Sequence, residues 1–131
     1  GFKKLRSQFD YGTFLPVQYG AIAALDGPEE PILRQCEEYQ RRRDALCGGL
    51  RAAGWNVPDS EGTMFAWAHI PEGFTDDVDF VMKLMEATGV LCTPGSSFGT
   101  LGKGHVRFAL TLPVPVIGEA VEAVRKSGIL F

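Results

Sequence analysis

No segment of this sequence approaches the roughly 20 consecutive apolar residues that cross a bilayer, and its start lacks the charged, apolar and cleavable regions of a secretory signal. The chain therefore reads as soluble, with no membrane partner. A cationic excess is missing as well: 13 lysines and arginines stand against 16 acidic residues, for a net charge of −3, which excludes the electrostatic footprint of a nucleic-acid binder. The one basic run, Arg41-Arg42-Arg43, falls in a helical pattern beside acids and reads as a solvated helix face. Cysteine is scarce: Cys36, Cys47 and Cys92 form no Cys-x-x-Cys pair and have no histidine at zinc-ligand spacing, as expected of reduced thiols in a cytoplasmic protein. An initiator methionine is lacking too. Gly1-Phe2-Lys3-Lys4-Leu5 resembles the middle of an element, so truncation is expected.

What is present is ordinary globular material. With 131 residues and 45% apolar side chains, the chain is long enough for a single hydrophobic core and too short for two full lobes of a large enzyme.

Pro16 suits the first turn of a short helix through Ala21-Ile22-Ala23-Ala24-Leu25, ending near Gly27. From Pro28 to Ala53, apolar residues Ile32, Leu33, Cys36, Tyr39, Leu46, Cys47, Leu50 and Ala53 recur every three or four positions. That spacing predicts one long amphipathic helix with a face on a sheet, stopped by Gly54. Trp55 to Pro58 reads as a short strand, and Thr63 to Ile70, rich in aromatics and bounded by Gly62 and Pro71, as a buried one. Asp76 and Asp77 start a helix that Gly89 ends. Val90 to Thr93 and His105 to Leu110 read as strands on either side of a loop beginning at Pro94. A last helix follows Pro113 and Pro115, burying Ile117, Ala120, Val121 and Val124. The pattern makes a small α/β sandwich, with a mixed or antiparallel sheet covered by helices.

Candidate chemistry is sparse. His69 and His105 sit at strand ends with no metal-ligand neighbours, so both read as structural or exposed, and no metal site is expected. Ser96 and Ser97 lie outside any Gly-x-Ser-x-Gly signature and suit a tight turn. Gly95, Gly99, Gly102 and Gly104 do not form a phosphate-binding Gly-x-Gly-x-x-Gly motif and read as a flexible connection. Arg107 stands apart because it interrupts an apolar strand, Val106 to Leu110. A guanidinium there either faces solvent or pairs its planar fork with a carboxylate; spacing alone leaves both open.

Several motifs in order carry a family resemblance over nearly the whole chain. Phe9-Asp10-Tyr11-Gly12-Thr13-Phe14-Leu15-Pro16-Val17-Gln18, then Ala21 to Leu25, resembles the segment after the active-site region of class I aminotransferases, the fold type I group. Tyr39 to Leu46, Leu50 to Trp55, Gly62-Thr63-Met64-Phe65-Ala66-Trp67, Thr93-Pro94-Gly95-Ser96-Ser97-Phe98-Gly99 and Val106 to Leu110 complete it. The flavour is that of the alanine and LL-diaminopimelate aminotransferase-like branch.

The resemblance implies the following. Residues 1–27 are a remnant of a large domain and an interdomain segment, and residues 28–131 are the C-terminal small domain. Arg107 binds the substrate α-carboxylate, while Tyr11, Gly12 and Thr13 reach toward the cofactor phosphate of a partner subunit in a homodimer. Phe98 lines the rim of the active site. The enzyme moves an amino group between an amino acid and a 2-oxo acid through pyridoxal 5'-phosphate, whose Schiff-base lysine lies upstream; Lys3, Lys4, Lys83, Lys103 and Lys126 do not match its motif. No catalytic residue is expected in this chain, and alone it is expected to be inactive. Two other classes stay open: an aminotransferase-like sensor domain of a transcriptional regulator, and a non-enzymatic α/β binding domain whose Arg107 forms an internal salt bridge. A pyridoxal-phosphate lyase would share the clamp.

Overall fold

The computed structural model describes residues 1–9 and 12–131, which fall into two compact units, Gly1–Arg34 and Gln35–Phe131. In the first, α1 (Phe2–Phe9) and α2 (Leu15–Leu25) bury no side chain. Pro16 lies in the first turn of α2, as its missing N–H allows. Helix α3 (Glu30–Arg43) begins in the first unit and continues into the second.

The expected long helix is not uniform. After α3 the winding widens to a π turn over Asp44–Gly48 and returns to α-helix in α4 (Gly49–Ala52). The change coincides with the flexible pair Gly48-Gly49, and a Cβ on Gly49 would come within 2.8 Å of the Val121 side chain, so close helix packing needs glycine here. Leu46, Cys47 and Leu50 join the core, whereas Ile32 and Leu33 in the earlier turns stay exposed. The basic run is also more than a solvated face. Arg41 pairs with Glu38 in solvent, but Arg42 donates to the backbone carbonyls of Leu110 and Thr111 at 3.2 Å, and Arg43 to that of Ser60 at 3.2 Å.

The second unit holds an antiparallel sheet of β1 (Phe65–His69), β2 (Thr93–Pro94) and β3 (His105–Ala109), with β3 in the middle. Helix α5 (Asp77–Thr88) packs on the sheet and on α6 (Val114–Ser127). Asp76 caps α5 by accepting the Asp79 N–H at 2.8 Å, and Gly89 closes it at φ 72°, both as the residue types predict. In α6, Ile117 and Val124 are buried, with Ala120 and Val121 partly so.

Trp55 to Pro58 is not a strand. The Trp55 N–H caps the preceding helix through the Leu50 carbonyl, and the Val57 N–H turns back onto the Trp55 carbonyl, which spends the groups a ladder would need. The hydrophobic signal reflects burial of Trp55 and Val57 in the core instead. Val90 to Cys92 likewise stays outside the sheet; only Thr93 and Pro94 pair with β3.

Alternation divides the sheet cleanly. Ala66, Ala68, Val106 and Phe108 point into the core with Phe80, Val81 and Leu84 of α5. Phe65, Trp67, His69, His105 and Arg107 therefore share the opposite face, with Trp67 directly across from Arg107.

All three cysteines are free thiols, with Cys36 exposed and the other two buried. Burial pushes the Cys92 thiol up to about 12 and raises that of Cys47. Native protein at pH 8 should accordingly alkylate at Cys36 first, with Cys47 and Cys92 labelling only after denaturation, as peptide mass mapping would read.

Candidate functional site

Arg107 is half-buried in the central strand. Its guanidinium carbon lies 4.1 Å from the centre of the Phe65 ring and 4.2 Å from that of Phe98. Cation–π contact of this kind restrains the side chain while leaving its N–H donors unspent. No carboxylate among the described residues pairs with it: the ion pairs there involve Arg34, Arg41, Arg42, Arg43, Arg51, Lys83, Arg125 and Lys126. The arrangement is a restrained, cationic, planar donor with no carboxylate partner among the described residues.

Phe65 was not singled out by sequence reasoning. Period-two alternation puts it on the face of Trp67, and the β1–β3 register then makes it a diagonal neighbour of Arg107, within reach of an aromatic ring. Without the register, Phe65 is one aromatic among several.

Phe98 closes a 3₁₀ turn, Gly95–Phe98, and its ring also meets Trp67 edge-on at 5.8 Å. The glycines around this turn serve close approach, which corrects the expectation of a flexible connection. Gly95 and Gly102 are buried backbone to backbone, and a Cβ on either would collide with the carbonyl oxygen of the other. Gly99 at φ 115° and Gly104 at φ 74° occupy the left-handed region that disfavours side chains.

The turn is tied to α5 by Asp77, whose Oδ2 accepts the Ser96 N–H at 2.6 Å. Asp77 is the one buried charged or polar side chain among the described residues. Burial pushes its carboxyl up, but hydrogen bonds from the Ser96 backbone and side chain outweigh this and hold it below the usual aspartate value. The sequence offered Asp77 only as a helix start, a task Asp76 performs. Because the folded-state value is depressed, the stabilisation is complete above the unfolded aspartate value and is lost as pH falls through the folded one. The gap in urea midpoint between the natural protein and Asp77→Asn should therefore be constant near neutrality and close in acid.

His69 and His105 lie with Arg107 on the open sheet face. Their rings meet edge-on at 5.0 Å, and His105 stacks on Trp67 at 5.5 Å. Each Nδ1 has a backbone carbonyl within hydrogen-bond distance, Ile70 for His69 and Lys103 for His105. No group of three metal-ligating side chains occurs among the described residues. Gly12 and Thr13 are exposed and belong to the Gly1–Arg34 unit, and Tyr11 lies outside the described residues. Lys3, Lys4, Lys83, Lys103 and Lys126 are all exposed. No helix among the described residues is long and apolar enough to cross a membrane.

The fold is a small α/β domain whose three-stranded antiparallel sheet carries Arg107 on the face away from the core. The chain belongs to the aminotransferase class I and II family, whose model matches residues 2–124. An LL-diaminopimelate aminotransferase of Halothermothrix orenii is 41% identical over 128 residues, 98% of this chain and 33% of that protein. The glutamate-pyruvate aminotransferase AlaC of Escherichia coli is 40% identical over 124 residues, 93% of this chain and 30% of AlaC. Among solved structures, an aminotransferase from Staphylococcus aureus superposes with a TM-score of 0.87 at 27% identity, covering 98% of this chain and 34% of that one. The structural neighbours are fold type I aminotransferases. This chain thus spans about a third of the length of the relatives it matches.

Proposed function

We propose that this chain is the carboxylate-gripping part of an amino acid aminotransferase, with Arg107 as the residue that holds the substrate α-carboxylate. The observation carrying this reading is the half-buried guanidinium held by Phe65 and Phe98 with no internal carboxylate among the described residues. An internal salt bridge at Arg107, the mark of a non-enzymatic binding domain, finds no support there.

A fork of two parallel N–H···O bonds fixes the carboxylate plane as well as its position. Orientation is the larger gain, because the substrate's α-carbon is then held in one attitude for reaction. Phe65 and Phe98 limit the rotamers Arg107 can adopt, so less freedom is lost when substrate arrives. In the complete enzyme, pyridoxal phosphate would supply the electron sink and a lysine from the rest of the polypeptide the proton shuttle. Gly12, Thr13 and Tyr11 are assigned to the cofactor-phosphate side of a homodimer, and Phe98 to the rim. The complete enzyme is assigned to the cytoplasm.

Kinship to both LL-diaminopimelate and glutamate-pyruvate aminotransferases supports amino acid and 2-oxo acid substrates. The test is transamination by the full-length protein with L-alanine or LL-diaminopimelate as donor and 2-oxoglutarate as acceptor. Turnover that depends on pyridoxal phosphate is expected, and none from residues 1–131 alone. A full-length protein inert toward a broad panel of amino acids would favour a sensor role and overturn the reading.

A further inference from the structure

We infer that Asp77 is a positioning residue of the carboxylate site: by holding the Ser96 N–H it fixes the Gly95–Phe98 turn and, through it, the Phe98 ring against Arg107. This rests on the reading of Arg107 as the substrate clamp.

Two adjacent aspartates begin α5, and they do different work. Asp76 is exposed and satisfies the helix terminus. Asp77 is 4% exposed and reaches across to a turn that is remote in sequence. Burying a carboxylate is costly unless strong donors meet it, and with the helix already capped by Asp76 the donors that meet Asp77 come chiefly from Ser96. The bond to the Ser96 N–H, at 2.6 Å, is of the short, charge-assisted kind.

Ser96 is the hub of the turn. Its carbonyl accepts the Gly99 N–H at 3.1 Å, closing the loop around Phe98. Gly95, immediately before it, is wedged against Gly102. Phe98 itself is 49% exposed, so its own burial holds it weakly, and its place over Arg107 depends on the backbone beneath it. Asp77 is thereby linked to the substrate site through Ser96 and the Phe98 ring, without touching substrate.

The experiment uses the full-length enzyme with four variants: Asp77→Ala, Asp77→Asn, Phe98→Ala and the Asp77→Ala/Phe98→Ala pair. Asp77→Ala should raise KM for amino acid and 2-oxo acid alike by about tenfold while kcat changes by less than about threefold. Asp77→Asn retains an acceptor and should recover most of that loss. Hydrogen exchange at the Ser96 amide, read by mass spectrometry, should quicken in Asp77→Ala. In the Phe98→Ala background, Asp77→Ala should add less than about twofold to KM, because both changes disable the same link.

A merely structural aspartate would instead give independent, multiplying effects. Such additivity, or an unchanged KM in an Asp77→Ala enzyme whose Ser96 exchange has quickened, would overturn the proposal. Arg107→Lys separates the two readings. If that variant loses carboxylate affinity while Asp77→Ala does not, only the positioning role fails; if Arg107→Lys leaves KM unchanged, the clamp itself fails.

Discussion

Arg107→Lys in the full-length enzyme should lower kcat/KM by about a hundredfold for every amino acid and 2-oxo acid substrate, the size of loss expected from misplacing a reacting group by about an ångström. Lysine keeps the charge but presents a point donor in place of a fork, so the carboxylate is attracted without being oriented. It also forfeits planar contact with Phe65 and Phe98, which lie 4.1 and 4.2 Å from the Arg107 guanidinium carbon. The loss should be similar for small and large substrates, since all carry the same carboxylate beside the reacting carbon. Stability should change by less than about 1 kcal/mol, because Arg107 lies on the sheet face away from the core and makes no internal ion pair among the described residues. Steady-state kinetics with two donors and one acceptor, together with a urea titration, test both halves. A kcat/KM within about threefold of the natural enzyme would remove Arg107 from the site.

Gly95→Ala should destabilise the Gln35–Phe131 unit by about 3 kcal/mol, the upper part of the range for overpacking a tight interior. The added methyl would meet the Gly102 carbonyl and lie 2.8 Å from the His105 carbonyl oxygen, both backbone atoms that no rotamer change can move aside. Relief requires the turn to shift, and with it Phe98, so KM should rise in whatever fraction remains folded. Gly102→Ala meets the same obstacle from the other side and should behave alike. Gly118→Ala is the contrasting case. That glycine is in α6 with open space around its would-be Cβ, so alanine should be neutral or stabilising by up to about 1 kcal/mol. Urea midpoints for the three variants distinguish wedged glycines from incidental ones. Equal midpoints would show that the Gly95–Gly102 contact is compliant.

Much of the secondary structure was legible in the residues. The Asp76 cap, the Gly89 stop and the apolar faces of α5 and α6 follow from local rules that need no tertiary partner. The misreadings share one cause. Trp55 to Pro58 carries a strand's composition, yet its backbone groups are consumed by a helix cap and a turn, which only the neighbouring residues' positions decide. Arg42 and Arg43 look like surface charge until the carbonyls of Leu110 and Ser60 are brought to them.

The proposed carboxylate site divides along the same line. By itself the sequence determined that an arginine stands in an apolar strand, and the ordered motifs around it determined the family. Alternation also determined that Arg107 and Val106 face opposite ways. Which face is covered was not written locally. It follows from α5 packing against one side of the sheet, which buries Val106 and Phe108 and leaves Arg107 on the other. Only the tertiary structure decided that Phe65 and Phe98 flank the guanidinium, that no carboxylate among the described residues neutralises it, and that Asp77 ties the Phe98 turn down. Each of these joins residues distant in sequence, and period and propensity describe only a residue's nearest neighbours along the chain.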